Sequence, residues 1–106
     1  MADIHDFSHH PRNVLSQIRA YAADLTKVEY QTSSINPLLQ NRLVLMADIW
    51  ECLEAGEIVD GCLHFEENGT YAKMVCHTSD GTIFVDILMN SETQTLRVLY
   101  AEKEED

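Results

Sequence analysis

Basic residues are scarce in this sequence, and their scarcity argues against one large class of function. The chain has seven lysine and arginine residues against eighteen acidic residues, which gives a net charge of −11 over 106 residues. A protein with this charge repels the phosphate backbone of DNA and RNA at long range. We therefore expect no direct binding of nucleic acid. The expected partner is a basic protein, most naturally one that itself binds nucleic acid.

Cysteine is also sparse, and the spacing of the three cysteines argues against a structural role. Cys52, Cys62 and Cys76 form no CxxC pair. An odd number of cysteines at this spacing supports neither a disulfide framework nor a zinc knuckle. We interpret them as free thiols in a reducing cytosol, and we expect no cofactor.

Long apolar runs are missing as well. No window approaches the roughly 18 uninterrupted apolar residues of a membrane helix. The N-terminal stretch MADIHDFSHHPRN lacks the basic patch and apolar run of a secretion signal. We therefore expect a cytoplasmic protein with no membrane partner, and the length suits one small domain with a single core.

The first half of the sequence has a helical pattern. Apolar residues recur at spacings of three and four, the period of one helical face. The predicted face of the first helix comprises Val14, Leu15, Ile18, Tyr21, Ala22 and Leu25. That of a later helix comprises Leu45, Met46, Ile49, Trp50 and Leu53, with Gly56 placed to end it in a left-handed conformation. Between them, KVEYQT predicts a short strand, and Ser33 or Ser34 is a suitable cap for a helix that tolerates Pro37 early.

The second half changes to the alternation of strands. Two dipeptides, Asn68-Gly69 and Asp80-Gly81, favour tight hairpin turns in which both central residues have positive φ. They divide the segment into strands near residues 61–67, 70–78 and 82–90, and a last strand is expected near 95–101. The sequence therefore predicts an α+β fold in which N-terminal helices pack on a four-stranded antiparallel meander. Residues 11–101 form the predicted domain, with a mobile tail at 1–10 and an acidic tail at 102–106.

The order of these elements resembles a family of small bacterial proteins related to RelE-type toxins. The stretches that carry the resemblance are VEYQTSSINPLLQNR, DIWECLEAGEIVDG, YAKMVCHTSDGTIFVDIL and LRVLYAE, within residues 27–102. The resemblance implies a RelE-like fold and metal-independent cleavage of RNA. The family pattern has histidine where this chain has Ser33 and arginine where it has Pro37. Neither replacement transfers a proton near neutral pH or neutralises phosphate.

The groups that remain for RNA cleavage are predicted to lie on the sheet. Such a reaction needs an acid, a base and cations around the phosphate. Lys73, His77, Arg97 and Tyr100 are the candidates for a toxin-like ribonuclease. Asp86, which lies among apolar neighbours, is expected to pair with Lys73 or Arg97 because an unpaired buried carboxylate is costly.

A run of carboxylates provides the other candidate site. It comprises Asp48, Glu51, Glu54, Glu57, Asp60, Glu66 and Glu67, and no lysine or arginine occurs between Arg42 and Lys73. Ordinary helices place lysine near glutamate to gain i,i+4 pairs, so a solvated helix face does not explain this pattern well. The run imitates the charge of a nucleic acid toward a basic groove. Acidic proteins of this size occur among phage and mobile-element inhibitors of nucleases, including anti-CRISPR proteins, and among immunity proteins.

The balance of charge favours a non-catalytic inhibitor of a basic nucleic-acid-handling protein over the ribonuclease. Two further features were weighed. HDFSHH, with His5, Asp6, His9 and His10, lacks a fourth ligand at a fixed distance, and we predict no metal site there. The last strand, TLRVLYAE, is expected to leave an open edge, which keeps a homodimer through that strand as a structural alternative.

Overall fold

The structure is a computed structural model that describes residues 11–105 of the chain. Its helices are α1 (Pro11–Ala22), α2 (Thr32–Gln40) and α3 (Met46–Ala55), and a 3-10 helix spans Leu25–Lys27. Its strands are β1 (Val28–Tyr30), β2 (Glu57–Glu66), β3 (Gly69–Thr78), β4 (Gly81–Asn90) and β5 (Thr95–Glu105). The predicted α+β class is confirmed. No helix within this range is long and apolar enough to span a membrane.

The sheet has five strands rather than the predicted four, in the order β1-β5-β4-β3-β2. Strands β2 to β5 form the expected antiparallel meander. The prediction of a purely antiparallel sheet is wrong because β1 pairs parallel with β5, with Val28 opposite Leu96 and Tyr30 opposite Val98. This pairing joins residues far apart in the chain, so no local pattern revealed it.

One face of the sheet carries the core. Alternate residues of the central strands are buried there against α1, α2 and α3, including Met74, Val85, Ile87 and Val98. Residues of the opposite face, which we call the open face, stay partly exposed. They include Lys73, Val75, Phe84, Asp86, Leu88 and Tyr100.

The helices differ from their predicted faces at their ends. Val14 and Ile18 of α1 are buried as expected, but Leu25 is 74% exposed. It lies beyond the end of α1, in the 3-10 helix that Asp24 caps by accepting from the backbone N–H of Thr26. Ile49 and Leu53 of α3 are buried, whereas Leu45, which precedes the helix, and Met46, its first residue, are exposed.

Some glycines are required because backbone atoms pack close to their Cα, and others because they adopt positive φ. Gly56 follows α3 in an extended conformation (φ −77°), so the predicted left-handed ending is wrong. A Cβ there would lie 2.4 Å from the carbonyl oxygen of Cys52 and 2.8 Å from that of Val75. Both predicted hairpins form, but only Gly69 (φ 141°) and Gly81 (φ 154°) take positive φ in their dipeptides.

The end of the chain is part of the sheet. Residues 102–105 were expected to be an acidic tail, yet β5 continues to Glu105, which lies opposite Gly81. The outer side of β5 is not an open edge at Leu96–Val98, where β1 pairs with it. The premise of a homodimer through this strand is therefore wrong over those residues, and β2 is the strand at the other edge.

Candidate functional site

Asp48 differs from the other carboxylates of the predicted acidic run. Its side chain accepts a hydrogen bond from the backbone N–H of Leu45 at 3.0 Å, at the start of α3. It also lies 3.9 Å from the ammonium of Lys103 on β5, and both side chains are largely buried (14% and 16% exposed). Asp48 is therefore a capping and packing residue, and its prediction as a partner-binding residue does not suit this environment.

The other six carboxylates are exposed, and we call them the acidic band. Glu51 and Glu54 lie on α3, Glu57, Asp60 and Glu66 on β2, and Glu67 at the turn that follows. Because β2 has ten residues, the band extends about 30 Å beyond α3. The run of carboxylates thus continues from α3 along an edge strand, where Glu57 and Glu66 lie opposite Val75 and Gly69 of β3.

Cations reach the junction of α3 and β2 from α1, although none occurs locally in the sequence. The guanidinium of Arg19 donates to the carbonyl oxygen of Gly56 at 3.0 Å. Arg12 lines a shallow cavity with Leu15 and Glu57. Within residues 12–105, none of the acidic band forms an ion pair.

The four residues of the predicted ribonuclease site lie on strands β3 and β5. Lys73 and His77 lie on the same side of β3, four residues apart. Asp86 of β4 lies between Lys73 and Tyr100, with each of them opposite it on a neighbouring strand. Arg97 is opposite Leu88, so all four share the open face.

These four residues share a face without converging on one point. Strand β4 separates β3 from β5, which puts Lys73 and Tyr100 about 10 Å apart at the backbone. His77 lies near the far end of β3, where its Nδ1 is 3.2 Å from the Thr82 hydroxyl. The arrangement is a flat surface rather than a catalytic cleft.

The two cations of this surface already have carboxylate partners. The guanidinium of Arg97 donates to Glu29 of β1 at 2.9 and 3.3 Å. Lys73 lies 3.9 Å from Asp86, which confirms the predicted pairing of Asp86 with one of these cations. The Asp86 Oδ1 is buried and has no hydrogen-bond donor among the described residues. Burial, and then the charge of Asp86, raises the pKa of the Tyr71 phenol beside it.

The two serines in the first turn of α2, Ser33 and Ser34, differ in their contacts with the rest of the fold. The helix begins at Thr32 with Gln31 as its N-cap, so the prediction that Ser33 or Ser34 caps it is wrong. The hydroxyl of Ser34 donates to the carbonyl oxygen of Leu99 on β5, whereas Ser33 is exposed. The first turn of α2 is thus tied to β5.

Thiol and metal chemistry have little support in the described part of the chain. Cys52 is fully buried, and burial, reinforced by Cys76 and Glu51, raises its pKa to about 12. No three residues among positions 11–105 form a group that could hold a metal ion. The HDFSHH histidines precede that range.

The sequence did not predict one surface feature, a groove beside β5. A groove of about 300 Å³ lies between the C-terminal end of α2 and the last part of β5. Its walls include Leu38, Arg42 and Leu43 on one side and Tyr100, Glu102 and Glu105 on the other. We call it the α2–β5 groove. The apolar run Leu43–Met46 was the only signal, and its helical period assigned it to the core instead.

No protein-family model, curated protein or solved structure matches this chain.

Proposed function

We propose that this protein is a non-catalytic interaction protein whose acidic band binds and blocks a basic nucleic-acid-handling protein. The observation that carries the proposal is the exposure of six carboxylates along α3, β2 and the following turn without an ion pair in the described residues. The scaffold we propose is RelE-like, which is supported by helices that precede an antiparallel β2–β5 meander.

Electrostatics supports a basic partner. The net charge of −11 attracts a positive surface at long range and accelerates encounter at low salt. Carboxylates on a helix and a strand have an ordered backbone, so binding requires less backbone ordering than it would for a disordered acidic tail. The partner loses access to nucleic acid wherever the band covers its phosphate-binding surface.

Affinity capture from the native host tests this function. Tagged protein is incubated with host lysate, washed at low salt and eluted at high salt, and bound protein and RNA are both identified. We expect a basic, nucleic-acid-binding protein that elutes with salt, because screening weakens exposed charge contacts.

Charge reversals identify the surface. Glu51→Lys with Glu54→Lys, and separately Glu66→Lys with Glu67→Lys, should each weaken capture of that protein at least about tenfold. Asp80→Lys with Glu104→Lys is the matched control, since both residues are exposed, line no cavity together with the band and change the charge equally. Asp48 is left unchanged because its reversal would break the pair with Lys103.

Equal losses for the band and control variants would attribute binding to net charge alone and contradict a specific surface. Capture of RNA or ribosomes in place of a basic protein would contradict the proposal as a whole.

The ribonuclease is kept as a second candidate because Lys73, His77, Arg97 and Tyr100 share the open face. It predicts RNA cleavage that Lys73→Ala or Arg97→Ala abolishes. Wild-type protein that leaves RNA intact, with and without ribosomes, would contradict this candidate without affecting the first.

A further inference from the structure

The α2–β5 groove is lined by apolar side chains that the fold leaves uncovered. Leu43 is 59% exposed and Tyr100 is 43% exposed, and both line the groove. Leu45 and Met46, which follow directly in the chain, are exposed as well. Three of the chain's exposed large apolar residues thus occur within four positions. An exposed apolar concentration of this kind is typical of an interaction site.

The geometry suits the side chain of a partner. The volume of about 300 Å³ lies at the lower end of the range for ligand pockets, enough for one large apolar side chain. Leu38 and Leu43 provide an aliphatic wall and Tyr100 an aromatic one. Protein interfaces concentrate their binding energy where such an anchor enters a pocket of this type.

The charges along the groove select for basic neighbours of that anchor. Glu102 and Glu105 line the β5 side, and both are exposed and outside the ion pairs of the described residues. Lys103, between them, is directed to Asp48 and largely buried. Arg42 lies on the α2 side. Lys103 also lines the groove, but Asp48 compensates its charge, so the two carboxylates make the β5 side of the rim acidic, across from Arg42.

We propose that the α2–β5 groove binds a segment of a protein partner in which one large apolar side chain is flanked by lysine or arginine. This inference rests on the proposed function, because it specifies how a basic partner is held. The acidic band would attract the partner at long range, and the groove would fix one segment of it by apolar contact. A second copy of this chain fits poorly, since each copy carries a net charge of −11.

Two synthetic peptides and the ¹⁵N-labelled full chain test the groove by NMR. The first is a capped peptide with a central tryptophan flanked by lysines and arginines. The second has serine in place of tryptophan and the same charge. We expect amide shifts centred on the groove with the first peptide, and at least about tenfold weaker binding of the second.

Matched variants separate the groove from other apolar surface. Leu43→Ser with Tyr100→Ser should weaken the tryptophan peptide at least about tenfold. Leu25→Ser is the control, because Leu25 is the most exposed large apolar residue of the described part of the chain and does not line the groove. The amide spectrum of each variant reports whether the fold is retained. If the double variant unfolds, Tyr100→Ser alone carries the test.

Each other outcome overturns the groove and is distinct from failure of the proposed function. Equal binding of both peptides with shifts along the acidic band would exclude the groove and leave the acidic inhibitor standing. Groove shifts that grow with protein concentration and without peptide would assign the site to a second copy. No binding of either peptide would exclude the groove, while the salt-eluted capture still decides the proposed function.

Discussion

Ser33 and Ser34 are neighbours in the sequence, but their surroundings differ at the scale of single residues. Ser34 donates to the Leu99 carbonyl oxygen, so it links α2 to the sheet, whereas Ser33 is exposed. In the RelE-like scaffold that we propose, position 33 has serine where the family pattern has histidine. The linking role belongs to the next residue.

We expect Ser34→Ala to lower the free energy of unfolding by about 1 kcal/mol, because the Leu99 carbonyl loses a part-buried donor. Ser33→Ala, the control, should change it by less than about 0.5 kcal/mol. Urea unfolding followed by circular dichroism measures both. Equal effects of the two substitutions would show that the contact with β5 contributes nothing.

The cysteines predict an order of thiol reactivity. Cys62 is half-buried on β2, while Cys52 and Cys76 are buried and have raised pKa values because burial disfavours the thiolate. Iodoacetamide should therefore modify Cys62 first in the native protein, and mass spectrometry locates the label. Cys62→Ser should remove the fast phase, and labelling of Cys52 at a similar rate would contradict its burial.

The same burial predicts a pH dependence of stability. The pKa of Cys52 rises from 9.0 to about 12 on folding, so the folded protein keeps a proton that the unfolded chain releases. The stability due to this group is complete below pH 9 and declines as the pH rises toward 12. Urea unfolding at several pH values should show a smaller decline for Cys52→Ala than for wild type.

At the scale of elements, an ion pair between Lys73 and Asp86 joins strands β3 and β4, and its two side chains differ in burial. Lys73 is about one-third exposed and approaches the ring of Phe84, whereas Asp86 is less exposed and has a buried oxygen without a donor. The carboxylate is therefore the partner that depends on the other.

We expect Lys73→Met to lower the free energy of unfolding by about 1 kcal/mol or more, since Asp86 then lacks a counter-charge. Adding Asp86→Leu should restore stability to the wild-type value or above it. Urea unfolding of the single and double variants provides the comparison. A single variant as stable as wild type would mean that the pair contributes nothing.

The sequence predicted the hairpins, which short turn motifs determine, better than the pairing of distant strands. The β2–β3 and β3–β4 hairpins were foreseen because Gly69 and Gly81 mark their turns. The parallel β1–β5 pair depends on contacts between distant segments, and it was missed as a pair. The end of β5 was missed because glutamate and lysine disfavour strands, while in the fold pairing with β4 and the contact of Lys103 with Asp48 outweigh that preference.

The whole molecule is dominated by its negative charge. The chain has eighteen acidic and seven basic residues, so repulsion among the carboxylates outweighs attraction to the cations. Only three ion pairs occur within residues 11–105. The sequence predicted this charge, and six of the seven carboxylates of the predicted acidic run are exposed. It could not predict that Asp48 is neutralised by Lys103, because the two residues meet only through packing of α3 on the sheet.

Salt should therefore stabilise the protein. Screening reduces self-repulsion in the compact state, and a gain of about 1 kcal/mol corresponds to about 4–8 °C in melting temperature. Differential scanning calorimetry at increasing sodium chloride should show this rise. The variant with Asp80→Lys and Glu104→Lys should show a smaller rise, and a melting temperature that falls with salt would contradict the expectation.

The position of β5 within the sheet determines when the protein can fold during its synthesis. β5 follows every other described element in the chain, yet it lies between β1 and β4 and supplies Leu96 and Val98 to the core. Until it emerges, β1 has no strand to pair with and the hydroxyl of Ser34 has no acceptor at Leu99. The five-stranded sheet therefore closes only after β5 has been translated, because the β1–β5 pair joins segments far apart in the chain.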